Sequence, residues 1–322
     1  MQVREQSMKI WLQSHCPAAT TPELLAGDAS FRRYFRLRSE HKNYILMDAP
    51  PEKESCQAFV AIASAFQSLG LRVPDIFQAD LEQGFLLLDD FGDQLLLQAL
   101  NEQTADHYYQ RAFDCLLLIQ SCKDVPGYTL PTFDEALYRQ ELDLFQEWYL
   151  QRHLGRVLTA SDQVVLDQIS TQLIDAALAQ PQVCVHRDFH SRNLMVLEDD
   201  SLGILDFQDA VRGPITYDLM SLLRDCYIEW PFERVKSWLF LYQQRLLELG
   251  HLSGDNPAQF LRWCDWIALQ RHLKCIGIFA RLHHRDNKSV YLESIPRVIA
   301  YAKMICQRYP EFSGLLKFLV EK

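Results

Sequence analysis

The spacing of apolar positions changes character along the chain, and each change marks a structural boundary. Met8, Ile10, Trp11 and Leu12 predict an opening helix that ends by Pro17. From residue 24 to 90 the pattern becomes short strand-like runs separated by turn residues: Tyr34 to Arg38, Asn43 to Asp48, Asp75 to Ala79 and Phe85 to Asp89. Between them Cys56, Phe59, Val60, Ile62, Ala63, Phe66 and Leu69 recur at helical spacing, and Gly70 follows as a stop. Strands around one helix predict an α+β module over residues 1–91.

After Gly92 the background is helical. Ala112, Phe113, Leu116 and Ile119 mark one helix, and Thr132-x-x-Glu135 reads as a capping box opening another that runs towards His153. Val165, Leu166, Ile169, Leu173 and Ala177 mark a third, stopped by Pro181. Two apolar runs then interrupt the helices, Val183-Cys184-Val185 and Leu202 to Leu205, and they predict a small hairpin-like insert. Long amphipathic helices follow over 257–282 and 290–308, the first opened by Asn256-Pro257. Residues 92–322 thus form a larger, mainly α unit.

Composition narrows the class. Near-half apolar content and a formal net charge of −10 describe a globular protein with no nucleic-acid partner, because phosphate backbones are gripped by clustered Lys and Arg. Nine scattered cysteines without a C-x-x-C pair favour a reducing compartment. No apolar run suits a signal peptide or a membrane span, so a cytoplasmic protein is expected, with no membrane partner.

Both interrupting runs end on polar clusters that carry an aspartate. His186-Arg187-Asp188 is followed by Asn193, and the second run leads into Asp206-Phe207-Gln208. This order suits phosphoryl transfer from a metal-bound nucleoside triphosphate: Asp188 would accept the proton of the attacking hydroxyl, while Asn193 and Asp206 would hold the metal. Either cluster alone is weak, but the joint pattern within two dozen residues is rare.

HRDFHSRN, ILDFQDA and Gly213 to Leu219 resemble the aminoglycoside phosphotransferase/choline kinase branch of the protein-kinase-like fold. That resemblance implies a small, mainly β N-lobe, a hinge and a large helical C-lobe, in line with the α+β division above. It implies ATP and Mg²⁺ as nucleotide and cofactor, Asp188 as base, Asn193 and Asp206 as metal ligands, and Asp218 as an internal strut. Phe85 to Gly92 resembles the last N-lobe strand entering the hinge, so Asp89 and Phe91 would meet the adenine edge, with Leu46 or Leu88 walling the ring. The phosphate-covering loop falls on Ala26 to Phe31, giving Ala29, Ser30 and Phe31 as nucleotide contacts. His190 and Arg192 would lie near the transferred phosphate.

Two features depart from the family pattern. The phosphate loop has a single glycine, and Tyr44-Ile45-Leu46-Met47 ends on a thioether where the family places a phosphate-binding lysine. Arg32, Arg33 and Arg36 on the preceding strand and Lys42 and Lys53 beside this one are the nearby cations, and one of the arginines is the expected replacement, with Arg32 counted among the nucleotide contacts.

Longer stretches, including GDASFRRYFR, YILMDAPPEKE and Gln270 to Lys274, resemble the bacterial anomeric N-acetylmuramate/N-acetylglucosamine kinases of cell-wall recycling. This implies a small-molecule amino-sugar substrate phosphorylated at C1. A muramate lactyl carboxylate would need a cation, for which Arg224, Arg271, His272, Lys274 and Arg281 are candidates, and Tyr227 and Trp230 could stack on a sugar. Two alternatives stay open: a kinase of the same fold for another alcohol, and a nucleotide-binding pseudokinase, which Met47 would explain.

Overall fold

The computed structural model describes residues 2–16, 21–25, 31–39, 42–254 and 256–321. The phosphate-loop residues Ala29 and Ser30 lie outside the described residues, as does Pro17. Strands β1 (Glu23–Leu24), β2 (Arg33–Leu37), β3 (Tyr44–Asp48), β4 (Ile76–Asp80) and β5 (Phe85–Asp89) form an antiparallel sheet in the order β1-β2-β3-β5-β4. Helix α1 (Gln2–His15) precedes the sheet, and α2 (Gln57–Ser68) connects β3 to β4.

Side chains alternate across a strand, so the inner strands β2, β3 and β5 serve two cores. Phe35, Leu37, Leu46, Phe85 and Leu87 face Met8, Trp11 and Leu12 of α1. Met47, Leu86 and Leu88 face the other way, into a core shared with α2 and the helical lobe. Leu46 therefore sits beneath α1 and not in the interlobe cleft, which corrects its expected place beside a nucleotide; Ile45 and Leu88 line the cleft instead.

The helical lobe holds α3 (Leu96–Ala99), α4 (Ala105–Ser121), α5 (Glu135–Leu144), α6 (Ala160–Leu178), α7 (Tyr217–Leu223), α8 (Phe232–Glu248), α9 (Pro257–Asp286) and α10 (Ile295–Arg308). α5 starts later than the capping-box pattern predicts. Asp134 is its N-cap, accepting from Leu137 N–H at 2.9 Å, because Phe133 N–H is bound to Arg212 O at 2.7 Å and holds the preceding segment extended. Beyond α5 the chain widens into a π-helix over Phe145–His153. The insert also differs from a single hairpin. The run at Val183 belongs to β6 (Gln182–Val185), which pairs with β9 (Val211–Pro214), while β8 (Leu202–Ile204) pairs with β7 (Leu194–Val196). Each polar cluster is thus the loop leaving a short, buried ladder.

Helix α9 is the axis of the lobe. Asn256 caps its start by accepting from Gln259 N–H at 3.0 Å, and Asn287 ends it in the left-handed conformation at φ 55°. Gly277 allows α9 to cross the α5/π-helix junction in backbone contact, since a Cβ there would lie 2.4 Å from the carbonyl carbon of Leu144. Backbone cannot yield as a side-chain tip does. Gly277→Ala should therefore cost about 1–3 kcal/mol by overpacking, despite the better helix propensity of alanine. Thermal unfolding of the variant checks this, and an unchanged or raised Tm would contradict it.

Candidate active site

The site is built from the loop that leaves β6. Asp218, buried on α7, accepts the N–H groups of His186 (2.6 Å) and Arg187 (3.0 Å) through its two carboxylate oxygens. Burial pushes this carboxyl up to about 7, against which the two N–H donors work. The pair of bonds holds Arg187 at φ 77°, a left-handed conformation that an arginine adopts only under constraint. The Arg187 guanidinium completes the constraint by pairing with buried Glu141 at 2.7 Å.

His186 is wholly buried, and burial pushes its imidazole down to about 4. Its Nε2 donates to Leu205 O at 2.9 Å and its Nδ1 accepts from Asp188 N–H at 3.3 Å, which fixes the neutral tautomer. It links the two polar loops and does not reach the cleft. The loop then closes on itself: His190 N–H bonds Asp188 O at 3.0 Å, and Asn193 N–H bonds His190 O at 2.9 Å. Ser191 is pinned from below by Asp225, which accepts from its N–H at 2.9 Å and its hydroxyl at 2.5 Å.

Asp188, Asn193 and Asp206 meet on the same wall of the cleft between the lobes. Asn193 Nδ2 donates to Asp188 O at 3.0 Å and lies 3.5 Å from Asp206 Oδ2, which turns its amide oxygen away from those contacts. Asp206 is exposed and left-handed at φ 61°, and Gln208 Nε2 bonds its Oδ1 at 2.8 Å. Phe207, beside it, is buried against Phe59 and Phe66 of α2, with ring centroids at 4.8 and 5.9 Å. Hard oxygen donors from one carboxylate and one amide, with the remaining positions open to water and phosphate, fit Mg²⁺.

The cations around Asp188 set its charge. Burial would raise the carboxyl, but Lys274, His190, Arg271 and Arg187 outweigh it and hold the group well below the ordinary carboxylate range. Lys274 is itself secured by Glu141 at 2.9 Å, and Gln270 adds a 3.0 Å bond to the same carboxylate. Glu141 thus anchors both the strained Arg187 and the lysine beside Asp188. Burial lowers the His190 imidazole, whose Nδ1 accepts from Arg192 N–H at 3.3 Å.

The cleft has two connected parts. An apolar cavity of about 290 Å³ lies at the hinge, lined by Tyr34, Ile45, Leu88, Asp89, Phe91 and Met195 among others. The Phe91 ring rests on Gly203, where a Cβ would come within 2.5 Å of it. A polar cavity of about 460 Å³ lies beyond Asn193 and Asp206, bounded by Arg32 and Glu54 on one side and by α9 on the other. Arg192 reaches both cavities, with its guanidinium over Tyr227 at 4.7 Å.

The three β2-region arginines are separated by strand alternation. Arg33 points to the α1 face and, with Arg4, holds Asp48. Arg36 clamps the hinge, bonding Asp90 at 2.7 Å, Asp93 at 2.7 Å and Gly92 O at 3.0 Å. Arg32 lines the polar cavity beside Asp206 and pairs with Glu54 at 2.9 Å. Met47 is fully buried in the core below.

Not every candidate is brought to the cleft. Phe31 is exposed, beside Lys53. Arg224 is packed between Phe232 and Tyr301, His272 stacks on Tyr301, and Trp230 is buried on Tyr109, so none of these lines either cavity. Arg271, Lys274, Arg281 and Tyr227 do. Glu54, Gln208, Asp225 and Glu141 were not singled out in the sequence, where no spacing distinguishes them from surface acids and amides.

Comparison with known proteins agrees with this geometry. Residues 21–254 match the APH phosphotransferase enzyme family. A curated N-acetylmuramate/N-acetylglucosamine kinase of Pseudomonas putida is 42% identical over 99% of this chain and 96% of its own length. One from Neisseria meningitidis serogroup B is 38% identical over 99% and 96%. Among solved structures, the choline kinase LicA of Streptococcus pneumoniae superposes with a TM-score of 0.65 at 15% identity, covering 94% of this chain and 99% of that one. The ADP-bound aminoglycoside phosphotransferase APH(2'')-Ib gives 0.60 at 13%, covering 93% and 98%. The chain therefore belongs to the APH phosphotransferase enzyme family, and its fold is the two-lobed kinase-like one of choline kinases and aminoglycoside phosphotransferases.

Proposed function

We propose that this phosphotransferase is an ATP-dependent kinase of N-acetylmuramate and N-acetylglucosamine that phosphorylates the anomeric C1 hydroxyl. The observation that carries the reading is the meeting of Asp188, Asn193 and Asp206 on one wall of a polar cavity that holds both acids and cations and adjoins an apolar hinge cavity through Asn193 and Asp206. The near-full-length identity to two curated amino-sugar kinases supports the choice of acceptor. ATP places its base between Ile45, Leu88 and Met195, against the hinge backbone of Asp89 to Phe91. Asn193 and Asp206 would hold Mg²⁺, which when bound neutralises charge on the phosphates.

Arg32, held by Glu54, takes the place of the missing lysine as the N-lobe cation facing the phosphates. Arg33 and Arg36 cannot do so while committed to Asp48 and the hinge acids. Asp188 accepts the proton of the acceptor hydroxyl. Its strongly depressed affinity for protons makes it a weak base, which suits an anomeric hydroxyl better than an ordinary, less acidic alcohol. His190 and Arg192 offer donors to the transferred group from the next positions of the loop.

A coupled ATPase assay with amino sugars, aminoglycosides and choline tests the reading. Turnover should depend on N-acetylglucosamine or N-acetylmuramate and should fall by at least ~10²-fold in Asp188→Asn with nucleotide binding retained. Sugar-dependent turnover at the wild-type rate in that variant would remove Asp188 from its role, and turnover only with another alcohol would replace the acceptor. Arg32→Ala should lower kcat/KM for ATP by about one to two orders of magnitude, whereas Arg33→Ala should act mainly on Tm. The reverse ranking would exclude Arg32 as the phosphate cation.

The pH profile gives a further check. Because cations depress Asp188, the acid limb of kcat/KM from this group should lie below the usual carboxylate range. Lys274→Met removes the largest of the lowering charges, so the limb should move upward in pH. A limb that stays in place would show that Asp188 does not govern it.

A further inference from the structure

One face of α9 forms a long wall of the polar cavity, through Arg271, Lys274, Ile278 and Arg281 at helical spacing. Three of these four residues are cationic, and they are satisfied in different ways. Lys274 is committed to Glu141. Arg271 is almost fully buried, stacks its guanidinium on Tyr217 at 5.1 Å, and lies in the field of Asp188, although its own Nε also lacks an acceptor. Arg281 has no carboxylate partner among the described residues, and its buried Nε has no hydrogen-bond acceptor. The acids nearest to it are already occupied: Asp286 is bound through both oxygens by Arg285 at 2.8 and 2.9 Å, and Glu147 by Arg152 at 3.1 Å. Half-burial and the neighbouring Arg285 both work against its charge.

A guanidinium withdrawn from water without an anion is costly, and its fork matches a carboxylate in bidentate geometry. Ten residues along α9 from Arg271, Arg281 is about 15 Å further along the axis. That separation removes it from the phosphates and places it at the far end of the acceptor cavity. The aromatic wall of Phe279 and Tyr291, stacked at 5.7 Å, lies alongside.

We propose that Arg281 is a specificity residue for an acceptor carboxylate: its guanidinium receives the lactyl carboxylate of N-acetylmuramate, a group that N-acetylglucosamine lacks. The assignment rests on the amino-sugar reading above. Lys274 is committed to Glu141, and Arg271 lies beside Asp188 at the transferred group, so Arg281 is the α9 cation placed for a distal anion.

The experiment compares kcat/KM for N-acetylmuramate, its methyl ester and N-acetylglucosamine in the wild type, Arg281→Met and Arg281→Lys. In Arg281→Met the ratio of the N-acetylmuramate value to the N-acetylglucosamine value should fall by about ten- to a hundredfold, mainly through KM. Arg281→Lys, which keeps the charge but not the fork, should fall less. The wild type should penalise the methyl ester by a similar factor, and Arg281→Met should barely distinguish ester from acid. A ratio unchanged by Arg281→Met, or an ester penalty equal in variant and wild type, overturns the assignment. Wild-type turnover of neither sugar overturns the amino-sugar reading, and this assignment with it.

Discussion

Everything chemical in this protein depends on one buried carboxylate accepting two consecutive backbone N–H groups. Asp218 holds His186 and Arg187 at 2.6 and 3.0 Å, and so keeps the loop after β6 in a left-handed turn that its sequence would not choose alone. A positive φ at a non-glycine residue costs of order 1–3 kcal/mol and persists only where the surroundings over-determine it. Here Glu141 supplies the second restraint through the Arg187 guanidinium. The result is a loop whose outer residues, Asp188 and Asn193, are fixed by bonds made underneath them. That arrangement is preorganisation in the sense that matters for phosphoryl transfer, where positioning and charge carry most of the catalysis.

Charge is distributed with the same economy. Glu141 binds both Arg187 and Lys274, so one buried acid restrains the turn and places a cation beside Asp188. On the opposite wall, the position normally held by a lysine is a buried methionine, and the sheet itself sorts the available arginines. Alternation sends Arg33 to Asp48 beneath α1 and keeps Arg32 and Arg36 on the cleft side, where hinge acids claim Arg36 and Glu54 holds Arg32 at the cavity. Under the proposed function, the departure from the family pattern moves the cation from β3 to Arg32, just before β2, on the same cleft wall.

Much of this was legible in the sequence, and the failures have physical causes. The antiparallel N-lobe and its helix follow from strand alternation and a helical apolar repeat, both local signals. The pattern of Asp188, Asn193 and Asp206 is local as well, since 19 residues of chain hold all three. Thr132 failed as a cap because the backbone of Phe133 is claimed by Arg212, a contact some 80 residues away in sequence. The two apolar runs failed to pair with each other for the same kind of reason: β6 finds β9 and β8 finds β7. Leu46 was placed on the wrong face because a run of apolar residues hides its own parity when both faces of the strand are buried. Glu54, Glu141 and Asp225 matter only through distant partners, which spacing does not encode, and Gly277 matters only because another helix's backbone touches it.

In the proposed function the acceptor's anomeric hydroxyl is the nucleophile, matched to a base kept ionised by its cationic neighbours. Phosphorus-31 and proton NMR of the product formed from N-acetylglucosamine and MgATP tests this directly. The expected product carries one phosphate coupled to the anomeric proton. A phosphate coupled to the C6 protons would contradict it.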